Sequence, residues 1–173
     1  MLRSVSSSLG SIGPAGPDDL DALERLETRS FDAAVVFSRS QLRNLLRNPA
    51  ATVLVLRYGG EVAADAILLR RKCRGLSPAR SRGGAVTARL YSLAVLPHHR
   101  GKKLGKALLA ACLDLLRLEG VRAVTLEVHV ENAPAVALYE SFGFRKARRL
   151  TGYYGPGHDA WKMHLSFAGP ERK

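Results

Sequence analysis

Along the chain the spacing of apolar positions changes period several times, and each change marks an element. Between residues 103 and 119, Leu104, Leu108, Ala111, Cys112, Leu115 and Leu118 recur every three or four positions, the stripe of an amphipathic helix, and Gly120 supplies its stop. Residues 122–131 alternate instead. Val124, Leu126, Val128 and Val130 fall on one side, with Thr125, Glu127, His129 and Glu131 on the other, which predicts a strand with one buried face. Asn132 can then cap a helix that has Pro134 in its first turn, Ala137, Leu138 and Tyr139 inside it and Gly143 at its end.

The first half reads in the same way. A short strand near 11–14 leads into Pro17-Asp18-Asp19-Leu20-Asp21, a helix start with proline in the first turn and acids at the positive end of the dipole. Leu20, Leu23, Leu26 and Phe31 form its partial stripe. Ser38-Arg39-Ser40-Gln41 fits a capping box for a second short helix through Leu42, Leu45 and Leu46, ended by Asn48-Pro49. Strands follow at 52–57 and 61–70 about the turn Tyr58-Gly59-Gly60, then at 89–96, closed by Pro97. Two terminal strands are expected near 144–151 and 159–167. The order β-α-α-β-β-β-α-β-α-β-β predicts an α/β (α+β) chain, a mixed sheet with helices on its faces.

Composition narrows the class. At 173 residues, 46% hydrophobic and 24% charged, the chain suits one globular domain, taken as 11–168 with short flexible tails at 1–10 and 169–173. No run approaches 18 consecutive apolar residues, so no membrane partner is expected. Cys73 and Cys112 make no disulfide framework and have no histidine at ligand spacing; a reducing, cytoplasmic setting and no metal are the expectation. The Ser- and Gly-rich start is a weak match to a transit peptide with a single arginine, Arg3. Net charge is +12, and it is concentrated: residues 70–106 hold 11 basic groups and no acid.

Two places carry chemistry. In Val95-Leu96-Pro97-His98-His99-Arg100-Gly101-Lys102-Lys103-Leu104-Gly105-Lys106 a strand breaks at proline and a basic, glycine-containing loop opens a long helix. Backbone amides at such a turn bind phosphate oxygens, although plain strand-to-helix turns share the pattern. Neither a Walker loop nor Gly-x-Gly-x-x-Gly is present. Downstream, a carboxylate at Glu127 and a phenol at Tyr139 can serve as base and acid; equally, Glu127 can be a solvated strand residue and Tyr139 a core residue.

Residues 93–106, then Leu126-Glu127-Val128, then Asn132-x-x-Ala135-x-x-Leu138-Tyr139-Glu140-Ser141-x-Gly143-Phe144 together resemble the Gcn5-related N-acetyltransferase (GNAT) superfamily. Within it the RimI-like ribosomal-protein-alanine N-acetyltransferases are the most similar group. The resemblance implies a mostly antiparallel mixed sheet of six to seven strands, splayed between its fourth and fifth, and acetyl-CoA as co-substrate without a metal. Leu93, Ala94 and Val95 would pair with the pantetheine arm, Asn132 would contact it, and Arg100, Gly101, Lys102, Lys103, Leu104, Gly105 and Lys106 would cradle the pyrophosphate. Glu127 would be general base and Tyr139 general acid. The family loop is written Gln/Arg-x-x-Gly-x-Gly/Ala; Arg100 and Gly105 match, but Lys103 replaces the first glycine, which costs backbone freedom and adds a cation.

The implied reaction is direct acetyl transfer to a primary amine, a protein N-terminal α-amine on the RimI-like pattern, with Tyr153 and Tyr154 lining the acceptor groove. A lysine or small-amine acceptor is the alternative. The seven cations from Arg70 to Arg89 have no counterpart in the RimI-like pattern; they would favour an acidic protein or electrostatic docking on RNA or the ribosome, or form a solvated loop. A catalytically weak RNA-binding or acidic-partner-binding module on the same scaffold is the rival class. Aromatic residues interleaved with the cations would support it, and 70–89 contains none.

Overall fold

Ser38 shows how closely local signals govern this chain. Its hydroxyl accepts from the Gln41 amide while the Gln41 side chain accepts from the Ser38 amide at 2.8 Å, the reciprocal capping box that the sequence predicts. In a computed structural model, residues 5–7, 10–31, 36–72 and 86–167 are described. Their strands are β1 (Val5–Ser7), β2 (Gly10–Pro14), β3 (Ala51–Tyr58), β4 (Glu61–Lys72), β5 (Val86–Val95), β6 (Ala123–His129), β7 (Arg145–Leu150) and β8 (Ala160–Ser166). The helices are α1 (Leu20–Ser30), α2 (Arg39–Arg47), α3 (Leu104–Leu118) and α4 (Ala133–Ser141).

All seven expected strands and four expected helices are present in the expected order. One further strand lies inside the stretch assigned to a tail: β1 pairs with β2, Val5 opposite Ile12. The expected stripe of α3 also changes at its end. Leu104, Leu108, Leu109, Cys112, Leu113 and Leu116 are buried, whereas Leu118 is 88% exposed, because a 100° step per residue carries the last turn off the buried face.

The chain divides into two units, one of Met1–Leu69 with Tyr91–Leu113 and one of Arg70–Leu90 with Asp114–Lys173. In the first, β1 to β4 form antiparallel pairs in sequence order, with a register shift between Leu56 and Arg57. Leu20 and Leu23 of α1 and Leu42 of α2 pack on Val53, Val55 and Ile67. The middle of β4 is buried on both faces, which explains why its residues from Val62 to Leu69 are small or apolar apart from Asp65. In the second unit, β6 pairs antiparallel with β8 along its whole length, and β8 with β7. β5 pairs in parallel with β6 only over Thr87–Arg89 and Ala123–Thr125, although both strands run further, which is the expected splay. Among the described residues no helix is long and apolar enough to cross a membrane.

The first unit buries two carboxylates. Glu27 accepts from the Phe37 amide at 3.3 Å and the Ser92 hydroxyl at 3.2 Å. Asp65, opposite Val55 in the ladder, is wholly buried, and neither oxygen has a side-chain partner among the described residues. Burial, and then the nearby Glu27, hold the Asp65 carboxyl well above the usual carboxylate range. The folded state therefore keeps a proton that the unfolded chain releases near pH 4, so stability falls as pH rises above that value towards the folded pKa. Asp65→Ala is expected to stabilise the protein by about 1 kcal/mol near neutrality, the relieved desolvation exceeding the small cavity. Urea unfolding at pH 4.5 and 7.5, taken as roughly the ends of this window, checks it: a wild-type loss over that range that the substitution leaves undiminished refutes the account.

Candidate active site

In the first unit, β5 delivers Leu93, Ala94 and Val95 to the edge of a turn. Ala94 is buried at 3% exposure while Leu93 and Val95 are half-buried. The Val95 carbonyl accepts from Arg100 Nε at 3.3 Å and from the Ser30 hydroxyl at 3.5 Å, so the arginine folds back on its own strand. Gly101 has φ +78° and the space around its absent Cβ is open. α3 then begins at Leu104, and the first amides of a helix have no intrahelical acceptor. Exposed Arg100, Lys102, Lys103 and Lys106 surround that N-terminus. Free amides, a helix dipole and cations at one turn fit a pyrophosphate.

Lys103 sits at φ +61°, the one non-glycine residue with positive φ among those described. The turn therefore keeps the left-handed conformation that glycine serves in the family pattern, at a cost of about 1 kcal/mol for a residue with a Cβ. Lys102 is tied elsewhere. Its ammonium donates to His99 Nδ1 at 3.0 Å and lies 5.3 Å from the centre of the Tyr58 ring. His99, with Nδ1 accepting, carries its proton on Nε2 and donates it to Glu61 at 3.0 Å; His98 Nε2 reaches the same oxygen at 3.0 Å. These two contacts hold the Glu61 carboxyl below its usual range. The histidines thus form a chain of donors that anchors the loop to the β3–β4 hairpin.

In the second unit, the alternation of β6 turns Val124, Leu126 and Val128 inward and leaves Thr125, Glu127 and His129 on the other face. The Glu127 side chain is 9% exposed, and its Oε2 lies 2.7 Å from Arg89 Nε. Arg89 Nη2 also donates to the Tyr153 hydroxyl at 2.6 Å, and the Tyr154 hydroxyl donates to the Glu127 carbonyl at 3.2 Å. The Tyr154 ring stacks on His129, and the two tyrosine rings meet edge to face 4.8 Å apart. Burial, with Tyr153 and Glu127 nearby, pushes the Tyr154 phenol up to about 12. It remains a proton donor throughout the neutral range. Tyr139, on α4, is 7% exposed with its ring edge-on to Phe144. Asn132 caps α4 as expected, its side-chain oxygen accepting from the Ala135 amide at 3.2 Å, which leaves its NH2 group for a ligand.

A family model described as the acetyltransferase (GNAT) family matches residues 20–144. The chain belongs to that family. An N-alpha-acetyltransferase of Saccharolobus solfataricus is 41% identical over 75 residues, 43% of this chain and 45% of that protein. A [ribosomal protein bS18]-alanine N-acetyltransferase of Escherichia coli is 45% identical over 67 residues, 39% of this chain and 45% of that protein. The chain thus spans about half the length of these curated relatives. The crystal structure of the ribosomal-protein-S18-alanine N-acetyltransferase from Escherichia coli is similar at 31% identity, covering 94% of this chain and 97% of that one with a TM-score of 0.75. Arabidopsis thaliana NAA60 in complex with acetyl-CoA, 22% identical over 91% of this chain and 98% of that one, shares the fold at a TM-score of 0.79.

Of the residues expected at a GNAT site, those from Leu93 to Lys106 gather at one turn of the first unit, and Glu127, Tyr153 and Tyr154 gather on one face of the second. Arg89, one of the seven cations and the first residue of the strand expected at 89–96, lies inside β5 and is bound to Glu127. Arg70 likewise pairs with Glu119, through Nε and Nη2 at 2.6 Å each. Two of the seven cations are therefore internal partners of carboxylates; Arg74, Arg80 and Arg82, with Cys73, lie outside the described residues. The alternation of buried Ala88 and Leu90 about Arg89 is the signal that puts Arg89 on the less buried face of β5; that this face also bears Glu127 follows from the pairing of Arg89 with Thr125. Cys112 is buried, and burial pushes its thiol up to about 12, so it has no thiolate to offer as a nucleophile.

Lys103→Gly is expected to stabilise the protein by about 0.5–1 kcal/mol, the relieved left-handed strain outweighing the added backbone freedom of the unfolded chain. Denaturant midpoints of the two proteins measure it, and a lower midpoint for the glycine variant refutes the strain.

Proposed function

We propose that this protein is an acetyl-CoA-dependent N-acetyltransferase acting on the N-terminal α-amine of a protein or peptide. The observation that carries the reading is the clustering of Tyr153, Tyr154 and Arg89 about a sequestered Glu127, on a chain whose loop 100–106 presents free helix amides and cations. The relatives bearing N-terminal acetyltransferase names support the same acceptor class.

Acetyl-CoA supplies the thioester carbonyl. The amides at Gly101–Lys106 and the cations of that loop hold the pyrophosphate, and the backbone of Leu93, Ala94 and Val95 pairs with the pantetheine arm. The Val95 N–H polarises the carbonyl as charge develops on its oxygen. Glu127 takes the proton that the acceptor ammonium must lose before its nitrogen can attack. The new C–N bond forms, the C–S bond breaks and Tyr139 gives its proton to the departing thiolate, while the second proton that the nitrogen sheds as it becomes an amide returns Tyr139 to its neutral form. Asn132 steadies the arm through its NH2 group. The chain's own groups thus account for every proton, with no covalent enzyme intermediate. An acetyl-CoA user with thiols and no disulfide framework suits the cytoplasm.

Acetyl-CoA at a hundredfold excess over its Kd should stabilise the fold by about 2.7 kcal/mol, seen as a rise in Tm. Glu127→Gln and Tyr139→Phe should each lower kcat by about 100-fold or more while leaving that rise intact. Wild-type turnover in either variant removes that residue's role. A peptide array scored for α-amine against ε-amine products tests the acceptor: products confined to lysine side chains or free small amines overturn the N-terminal reading. An absent acetyl-CoA shift would favour a binding module instead.

A further inference from the structure

The strand face that bears Glu127 is basic far beyond what a single carboxylate requires. Glu127 stands opposite Lys162 and Thr125 opposite His164 in the β6–β8 ladder; in the β8–β7 ladder Lys162 stands opposite Arg148 and His164 opposite Arg145. Directly opposed residues point to the same face. Glu127, Lys162 and Arg148 therefore lie side by side across three strands, with Arg145 in the next row. Arg89, paired in register with Thr125, joins the same face. The other two cations of β7 turn away: Lys146 binds Glu140 and lies over Trp161, and Arg149 binds Asp159.

Arg89 and Glu127 neutralise each other. Arg145 and Arg148 are exposed and Lys162 is half-buried, and among the described residues none of these three has a hydrogen-bond or ion-pair partner. Like charges directly opposed, as Arg148 and Lys162 are, destabilise a ladder, and the acid in their row, Glu127, is already held by Arg89. Trp161 shares the opposite face with Val128; the aromatic groups of this face are His164 in the Arg145 row and, beside Glu127, Tyr153 and Tyr154, whose rings already meet each other edge to face while Tyr154 stacks on His129. A nucleic acid would find charge there but few rings not already engaged with one another.

We propose that this face docks an acidic stretch of the acceptor polypeptide, immediately downstream of the amine to be acetylated. The proposal rests on the reading of Glu127 as the base of an N-terminal acetyltransferase. Adjacent strands lie about 4.8 Å apart and an extended peptide advances about 3.3 Å per residue. A chain whose amine lies at Glu127 thus crosses Lys162 and Arg148 within about three residues. Aspartate or glutamate at the second to fourth positions meets those cations, and lysine or arginine there is repelled.

Peptides sharing one N-terminal residue and carrying Glu, Ala or Lys at positions two to four test this. The expected kcat/KM is about fivefold or more higher for the Glu peptide than for the Ala peptide, and lower still for the Lys peptide. The ratio should shrink in about 0.5 M salt and approach one in the Arg148→Ser, Lys162→Ser double variant. Because the readout is a ratio within each protein, partial misfolding of the variant does not imitate the effect. A Glu-to-Ala ratio near one in the wild type, or one that neither salt nor the double substitution changes, overturns the proposal. So does competition by a short oligoribonucleotide that an acidic peptide cannot match. Fluorescence anisotropy of the same peptides separates the two levels. Salt-sensitive binding of the Glu peptide, lost in the double variant but without acetylation, supports the docking face and removes the N-terminal acetyltransferase reading.

Discussion

An acidic side chain withdrawn from water needs a proton, hydrogen-bond donors or a neighbouring cation, and Glu127 has the cation, Arg89 at 2.7 Å. The arrangement around it follows. Arg89 has a second donor to offer, and Tyr153 takes it. The adjacent Tyr154 is drawn over the strand to the Glu127 carbonyl and stacks on His129. Replacing either member of the ion pair would leave its partner's charge sequestered, so the pair is a constraint on the fold as well as a feature of the site. It also accounts for why a residue that reads as one more cation of the basic window belongs beside the carboxylate of β6.

The first unit presents a different feature, a basic turn at the start of a helix. Lys103 stands in the left-handed region just before α3, at an energetic cost that a glycine would avoid. The hairpin end at Glu61, through His99, restrains the neighbouring Lys102. Beneath the same sheet, Glu27 and Asp65 are buried polar groups that no folding argument calls for. Glu27 at least organises the chain around it, bonding the Phe37 amide and the Ser92 hydroxyl.

Much of this was legible in the residue order. Capping at Ser38 and Asn132, the alternation of β6 and the helical period of α3 are local signals, and each acts within a few residues of where it is read. The missing glycine at Lys103 was legible too, since a turn type demands a φ whichever residue occupies it. The strand at Val5–Ser7 was not, because three residues acquire their conformation from pairing with Gly10–Pro14 rather than from a period of their own. Nor was the exposure of Leu118, which depends on where the packed face of α3 ends. Charge was the least transparent property. A window of 11 cations invited a single explanation, and the fold divides it among the loop before α3, partners for Glu119 and Glu127, Arg71 and Lys72 at the end of β4, and residues outside the described set.

By itself, then, the sequence determined the order of elements, their caps and stops, the open turn before α3 and the candidate acid and base, since all of these depend on neighbours within a few positions. Tertiary structure alone decided which charges meet. Arg89 and Glu127 are 38 positions apart in the numbering and adjacent in the sheet, and Lys162 comes to lie between Glu127 and Arg148 only through the β6–β8–β7 order. Electrostatic interaction depends on distance through space, which the linear chain does not encode until its strands are in register.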